Sequence, residues 1–110
     1  MSDGMIAKKP VVLLLENYIL DRIGALNQAD EITTQVLVEK AFGERKDWRG
    51  RLQEEFGLTP ALDAQLKAMW KQAQGLAQQK GSSVSPREFA EVLVEENFAD
   101  LVHMVDASLE

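Results

Sequence analysis

The stretch "PVVLLLENYILDRIGAL", Pro10 to Leu26, contains more apolar residues than a helix with one buried side requires. Five of them follow the proline without interruption, and more follow at helical spacings. When the stretch is projected as a helix, most apolar side chains cover one broad side. Leu13 and Leu20 lie on the opposite side, together with Glu16 and Asn17. This second apolar surface raises the question of whether the helix is covered on both sides or exposes part of its apolar surface.

Two interpretations of this helix are open. It is either the central helix of a bundle, covered on both sides, or it exposes a ridge of Leu13 and Leu20 that binds a second copy or another protein. A helix that is apolar on all sides is usually buried in a core, which favours the first interpretation. The second follows from the rarity of connected apolar patches on monomers, and it places Glu16 and Asn17 beside the ridge. These four residues are the predicted partner-binding site.

Length and composition indicate one ordinary globular domain. The chain has 110 residues, of which 45% are apolar and 27% charged. It has no cysteine, so disulfides and thiolate sites are excluded. Its longest apolar run is far below the ~20 residues that span a membrane, and we expect a soluble, cytoplasmic protein with no membrane partner. The net charge of −6 makes nucleic acid an unlikely partner for this acidic chain.

Two helix starts are well marked. Ser85 is a candidate N-cap, Pro86 suits the first helical position, and Glu88 completes a capping box. Thr59 and Pro60 repeat the pattern. After Thr59, the apolar residues recur at spacings of three and four, which predicts a single stripe on one helix: Leu62, Leu66, Met69, Trp70, Ala73 and Leu76.

Two more helices are predicted before these. Asp30 as a cap and Gly43 as a stop enclose a segment whose apolar residues are spread around the cylinder. The next helix ends at Gly57, which suits the left-handed C-terminal position. Its apolar residues are four apart, which predicts one buried face: Trp48, Leu52 and Phe56.

The last segment changes its helical phase at Glu95–Asn97. The apolar stripe before this point lies about half a turn from the stripe after it. The first stripe consists of Phe89, Val92 and Leu93, and the second of Phe98, Leu101, Val102 and Val105. We favour a single helix, straight or kinked, over two short helices. The sequence therefore predicts an all-α fold, a single compact bundle of five or six short-to-medium helices with short loops. This domain spans residues 9–109 and follows a disordered tail at residues 1–8.

Few residues suggest chemistry. Glu96, Asp100 and the single histidine, His103, share one face if the last helix is continuous, and such a face could hold a metal or orient an imidazole. Helical carboxylate-bridged metal sites need a second histidine, which the chain lacks. We therefore predict no catalytic residue, metal ligand or cofactor, and keep this face as the alternative: a metal- or ligand-binding protein, or a small enzyme.

A weak anion-binding patch is a further alternative. Arg45, Lys46, Arg49 and Arg51 surround Trp48 in the sequence, and cations beside an aromatic ring can bind phosphates or stack on bases. Neighbouring acidic residues offset this charge.

The segment "GSSVSPREFAEVL", Gly81 to Leu93, resembles the second half of an EF-hand, with Val84 at the hydrophobic loop position and Glu88 at the final acid. The resemblance covers about a tenth of the chain, and a Ser-Pro-x-Glu helix start gives the same letters. The first calcium ligands of the EF-hand would fall on residues that supply no carboxylate: Ala77, Gln79 and Gly81. No calcium binding is expected. The sequence thus predicts a non-catalytic protein-interaction module that self-associates as a homodimer or binds a protein partner through its first helix.

Overall fold

The computed structural model describes residues 10–43, 47–100 and 102–103. Within these ranges the chain forms five helices of nine or more residues and no strand, which confirms the predicted all-α fold. The predicted disordered tail at residues 1–8 lies outside them. In chain order the helices are α1 (Pro10–Arg22), α2 (Gln28–Phe42), α3 (Trp48–Phe56), α4 (Pro60–Gln79) and α5 (Pro86–Asn97).

Helix α1 is the centre of the bundle, because it contacts each of the other four helices. Every residue from 14 to 20 is buried, and Tyr18 and Leu14 are among the largest fully buried side chains. The favoured interpretation of the opening stretch, a helix covered on both sides, is therefore confirmed. Burial of all sides explains why α1 carries more apolar residues than an amphipathic surface helix needs.

Three of the four residues predicted as a partner-binding site on α1 are buried, so the exposed ridge of Leu13 and Leu20 is not formed. Leu20 is only 2% exposed, and Glu16 and Asn17 are each 1% exposed. Leu13 is half-buried. The reason lies in the neighbouring helices, since α2 and α5 make the most extensive contacts with α1 and cover the side that the projection left open.

Helix α2 begins three residues earlier than predicted. Its N-cap is Asn27, whose side chain accepts a hydrogen bond from the backbone N–H of Asp30 at 2.7 Å, so Asp30 lies in the first turn and is not the cap. The predicted stop is confirmed, because Gly43 ends the helix with a φ of 94°. Two large apolar residues of α2, Ile32 and Val36, remain exposed.

Helix α3 has the predicted buried face, with Trp48, Leu52 and Phe56 all in the core. The Asp47 side chain caps the helix by accepting from the backbone N–H of Gly50 at 3.1 Å. Gly57 ends it in the left-handed conformation, with a φ of 65°. The predicted end of this short helix at Gly57 is therefore confirmed, whereas its cap at Asp47 was not predicted.

Helix α4 carries the predicted apolar stripe, but the rest of the protein buries only part of that stripe. Of its 20 residues, Leu66 alone is fully buried. Met69 is 37% and Leu76 is 51% exposed, whereas the Trp70 ring contacts Phe89 of α5 with ring centroids 5.2 Å apart. The C-terminal part of α4 thus presents apolar side chains that its own protomer does not bury.

Helix α5 starts as predicted, with the Ser85 hydroxyl accepting from the Glu88 backbone N–H at 3.2 Å. It ends at Asn97, and helical residues resume directly after Phe98. The Val102 N–H then donates to the Phe98 carbonyl at 2.9 Å, as in a new helical turn. The phase change in the sequence therefore marks an interruption, and an unbroken last helix is excluded. In the part of the chain that the structure describes, none of the helices has both the length and the apolar character required to cross a membrane.

Candidate functional site

Arg87 joins three helices through polar side chains, of which Glu16 and Asn17 are buried and Asp30 is partly exposed. From α5, its guanidinium donates to Asn17 Oδ1 at 2.9 Å, to Glu16 Oε1 at 3.3 Å and to Asp30 Oδ2 at 3.1 Å. Asn17 also donates through its Nδ2 to Thr34 Oγ1 at 2.8 Å. Two of the residues predicted to bind a partner, Glu16 and Asn17, are therefore used to hold α1, α2 and α5 together.

A second arginine cluster centres on Asp21 of α1. Arg49 donates to the two Asp21 carboxylate oxygens at 2.8 and 2.6 Å and to Glu31 at 3.1 Å, and its guanidinium lies 4.3 Å from the centre of the Trp48 ring. Burial alone would raise the pKa of Asp21, but the hydrogen bonds from Arg49 and Arg22 outweigh this effect and lower it. The hydrogen bond to Asp21 in turn raises the pKa of Arg49. This cluster is a set of inter-helix ion pairs.

The predicted anion-binding patch receives no support from these contacts. Arg51 donates to the backbone carbonyl of Phe42 and forms ion pairs with Glu54 at 3.8 Å and Glu55 at 3.4 Å. Arg49 is already bound by carboxylates, as described above. The other two members of the patch, Arg45 and Lys46, lie outside the described residues. An incoming phosphate would have to displace carboxylates from both described arginines.

The alternative metal or catalytic face is also not assembled. Across residues 10–43, 47–100 and 102–103, there is no group of three histidine or carboxylate side chains that could hold a metal ion. The interruption at Phe98 falls between Glu96 and Asp100, so these residues and His103 do not share one continuous helix. The prediction of a common face was made for a continuous helix, and the structure interrupts that helix at Phe98.

A groove lies between α1 and the end of α5. It has a volume of about 600 Å³ and continues past the interruption at Phe98. We call it the α1–α5 groove. Its apolar lining consists of Val12, Val92, Val94, Ala99 and Val102. Its polar lining consists of Glu16, Glu91, Glu95 and His103.

Val92 is the residue that makes this groove unusual. It is a large aliphatic side chain that is 52% exposed, while Leu93 and Val94 beside it are buried. The Glu91 and Glu95 side chains, one turn apart on α5, line the same groove. An apolar surface bordered by carboxylates favours ligands that are apolar and cationic at once.

Sequence reasoning missed the groove because it assigned Val92 to the core stripe with Phe89 and Leu93. The signal that could have located it was the phase change at Glu95–Asn97. The interruption after Asn97 brings Ala99 and Val102 to line the same groove as Val92.

Two other surfaces expose apolar side chains. On α2, Ile32 is 60% exposed and borders a shallower hollow of about 430 Å³. On α4, the exposed Met69 and Leu76 lie on the same helix as Lys67 and Lys71. Neither surface has the row of valines that lines the α1–α5 groove.

Compared with models of protein families, with curated proteins and with solved structures, the chain gives no match.

Proposed function

We propose that this protein is a non-catalytic interaction module whose α1–α5 groove binds an amphipathic helix of a protein partner. The partner helix would carry an apolar face flanked by lysine or arginine. The observation that carries the proposal is the exposed Val92 in a groove of about 600 Å³ that Glu91 and Glu95 also line. The proposal assigns the binding surface to α5 and the start of α1, whereas the sequence predicted it on α1 alone.

Apolar burial would supply most of the affinity. A helix bound in a groove presents anchors at spacings of three, four and seven residues, and these match a groove lined along one side by α5. Burial of two leucine anchors contributes about 3–6 kcal/mol before the cost of association is subtracted. Binding by this groove alone is therefore weak, and contacts around it must add to the affinity.

The carboxylates would select the partner and accelerate its approach. The chain has a net charge of −6, and Glu95 is exposed at the groove. Charge complementarity of this kind raises association rates and disfavours like-charged competitors more than it deepens affinity. We expect binding to weaken as salt is added, since exposed charges are screened over about 8–10 Å at physiological ionic strength. The cytoplasmic location stays a prediction.

The test uses a synthetic helical peptide of about 18 residues, five turns at 3.6 residues per turn. Leucines at helical spacing would form its apolar face, and lysines would flank them. We expect fluorescence anisotropy to detect binding of this peptide but not of the same peptide with glutamates in place of the lysines. Val92→Asp should weaken binding about tenfold or more, equivalent to about 1.4 kcal/mol.

Ile32→Asp is the matched control, because it places the same carboxylate on an apolar residue that is 60% exposed on α2. It should leave the affinity for the lysine peptide unchanged. If neither peptide binds the parent, or if Ile32→Asp weakens binding as much as Val92→Asp does, the groove is not the binding surface.

A further inference from the structure

Another hollow of the protein lies between α4 and the end of α1, and we call it the α1–α4 hollow. Its volume is about 640 Å³, within the range of roughly 300–1,000 Å³ found for pockets that bind small molecules. Its lining includes Arg22, Gly24, Lys67, Trp70, Lys71 and Gln74. The described residues that line it supply three basic side chains and no carboxylate. In a chain with a net charge of −6, this hollow is a locally cationic surface.

The α4 side chains that line the hollow share one face of the helix. At 3.6 residues per turn, Trp70, Gln74, Lys67 and Lys71 fall within an arc of about 100°. The exposed apolar residues of α4 lie on the opposite side and take no part in the hollow. The two lysines are four residues apart, which is about 6 Å along the helix axis. Because a lysine side chain is long and flexible, both ammonium groups can reach one anion.

The charge of these two lysines is not offset by the carboxylates around them. Both lysines are exposed, and neither ammonium group makes an ion pair or hydrogen bond with another described residue. The one acidic residue of α4, Asp63, is four residues before Lys67. Its carboxylate oxygens already accept from the Tyr18 hydroxyl at 3.0 Å and from Arg22 at 3.2 Å. The lysines are therefore available to an anion from outside the bundle.

Arg22 is fixed at the other wall of the hollow by two carboxylates. It donates through two nitrogens to Asp21 and through the third to Asp63. A guanidinium has five N–H donors, so two of them make no hydrogen bond with a described residue. This pairing keeps the cation in place, while Lys67 and Lys71 supply the charge that stays uncompensated.

Trp70 gives the hollow an aromatic wall. The side chain is half-buried and packs against Phe89 of α5, with ring centroids 5.2 Å apart. The packing holds the indole in position while it lines the hollow. Flat aromatic rings stack on such a side chain, and every nucleobase has a face that can do so. The hollow therefore combines a site for an anion with a surface for a ring.

We propose that the α1–α4 hollow binds a nucleoside monophosphate, with the phosphate held by Lys67 and Lys71 and the base against Trp70. A phosphate monoester carries about −1.5 to −2 charges at neutral pH, which two ammonium groups offset. A long nucleic acid is disfavoured, because its many phosphates would meet an acidic protein. The inference does not depend on the α1–α5 groove, and the peptide experiment on that groove tests the proposed function separately.

AMP is the probe for this site, and adenosine and inorganic phosphate each represent one half of it. Titration to about 10 mM at low ionic strength covers weak binding, and heteronuclear NMR would follow the Trp70 indole and the Gly24 backbone N–H. The Trp48 indole is buried in the core and serves as an internal reference. We expect saturable shifts with AMP at Trp70 and Gly24. Each half alone should bind about tenfold more weakly or less.

Removal of charge from the hollow provides the first variant. Lys67→Gln with Lys71→Gln should weaken AMP binding about tenfold, because both cations facing the phosphate are lost. Lys40→Gln with Lys80→Gln is the matched control, since it removes the same charge at two exposed residues that do not line the hollow. The control should bind AMP as the parent does.

Addition of charge provides an independent variant that leaves both lysines in place. Gln74→Glu introduces a carboxylate of the same shape into the hollow and should also weaken AMP binding. Gln65→Glu adds the same charge at an exposed residue on the opposite side of α4 and should not. All of these positions are exposed, and the NMR spectrum of each variant shows whether it is folded.

The absence of saturable shifts with AMP would overturn the inference. It would also be overturned if AMP bound no more tightly than inorganic phosphate, since the base would then make no contact. Equal weakening by the hollow variants and their controls would show that AMP responds only to net charge, which is likewise incompatible with a site at the α1–α4 hollow.

Discussion

A buried carboxylate on α1 is stabilised by an arginine that lies 71 residues further along the chain. Glu16 is 1% exposed, and the Arg87 guanidinium lies 3.3 Å from it while remaining partly open to solvent. Moving a charge out of water costs several kcal/mol unless a well-placed partner and hydrogen bonds offset the loss. Arg87 supplies these contacts and also binds Asn17 and Asp30.

Arg87→Met should therefore destabilise the protein strongly. We expect the free energy of unfolding to fall by about 2–4 kcal/mol, because the change removes one partner of a buried pair. Urea unfolding followed by circular dichroism would measure it. Lys40→Met, at an exposed residue of α2, is the control and should change stability by less than about 0.5 kcal/mol. A similar small effect of Arg87→Met would show that its contacts do not stabilise the bundle.

Protonation of Asp21 makes the stability of the folded protein depend on pH in the acidic range. Its pKa is lower in the folded protein than in the unfolded chain, so the unfolded chain binds the proton more readily. The contribution of Asp21 to stability is complete above the unfolded-chain pKa of about 3.9 and is lost as the pH falls through the folded-state pKa.

The corresponding prediction concerns Asp21→Asn, which has no proton to gain at this position. Urea unfolding should show that the parent loses stability more steeply than the variant between about pH 5 and about pH 2. At neutral pH the variant should be less stable by about 1–3 kcal/mol, because charge-assisted hydrogen bonds to Arg49 and Arg22 are weakened. Parallel pH profiles of the two proteins would contradict this account.

At the scale of the elements, α1 shows that helical projection does not determine burial. Leu13 and Leu20 are seven residues apart and project to the same side, yet Leu20 is fully buried and Leu13 is half-buried. The two leucines differ in burial because they lie at different positions along the α1 axis, and neighbouring helices cover α1 only at particular positions along that axis. A projection along the helix axis contains no information about which of those positions are covered.

The two leucines should therefore respond differently to truncation. Leu20→Ala should cost about 2–5 kcal/mol, as expected for a leucine removed from a core. Leu13→Ala should cost about 1 kcal/mol, because a half-buried side chain loses only part of its transfer free energy. Denaturant unfolding of both variants measures the two costs side by side. Equal costs would mean that Leu13 is as fully packed as Leu20.

For the whole molecule, the central position of α1 makes the bundle a single cooperative unit. Helix α1 contacts the other four helices, and the buried residues form one core cluster that includes members of every helix. A small domain with one shared core is expected to unfold in a single transition.

The two tryptophans can test this cooperativity, since Trp48 is on α3 and Trp70 is on α4. In Trp70→Phe, fluorescence reports on α3, and in Trp48→Phe it reports on α4. Within each variant we expect the urea midpoints from fluorescence and from circular dichroism to coincide. A fluorescence transition of Trp70 that precedes the loss of helical signal would show that α4 detaches before the bundle unfolds.

The sequence alone was sufficient for the fold class and for several helix ends, because those depend on contacts within a few residues. Ser85 caps α5 through the N–H of Glu88, three residues away, and Gly57 ends α3 in the left-handed conformation that suits glycine. The apolar spacing of α3 likewise predicts its buried face. Asn27 was missed as the cap of α2 because Asp30, three residues later, is an equally acceptable capping residue.

Which apolar residues remain uncovered was decided only by the tertiary structure. The burial of Leu20 and the exposure of Val92 both depend on helices that are distant in the sequence. The α1–α5 groove exists because α5 is interrupted at Phe98, and its lining combines α1 with residues some 80 positions later. Helix formation is a local property that the spacing of apolar residues and the capping residues encode. Which apolar side chains stay exposed depends instead on how all the helices pack together.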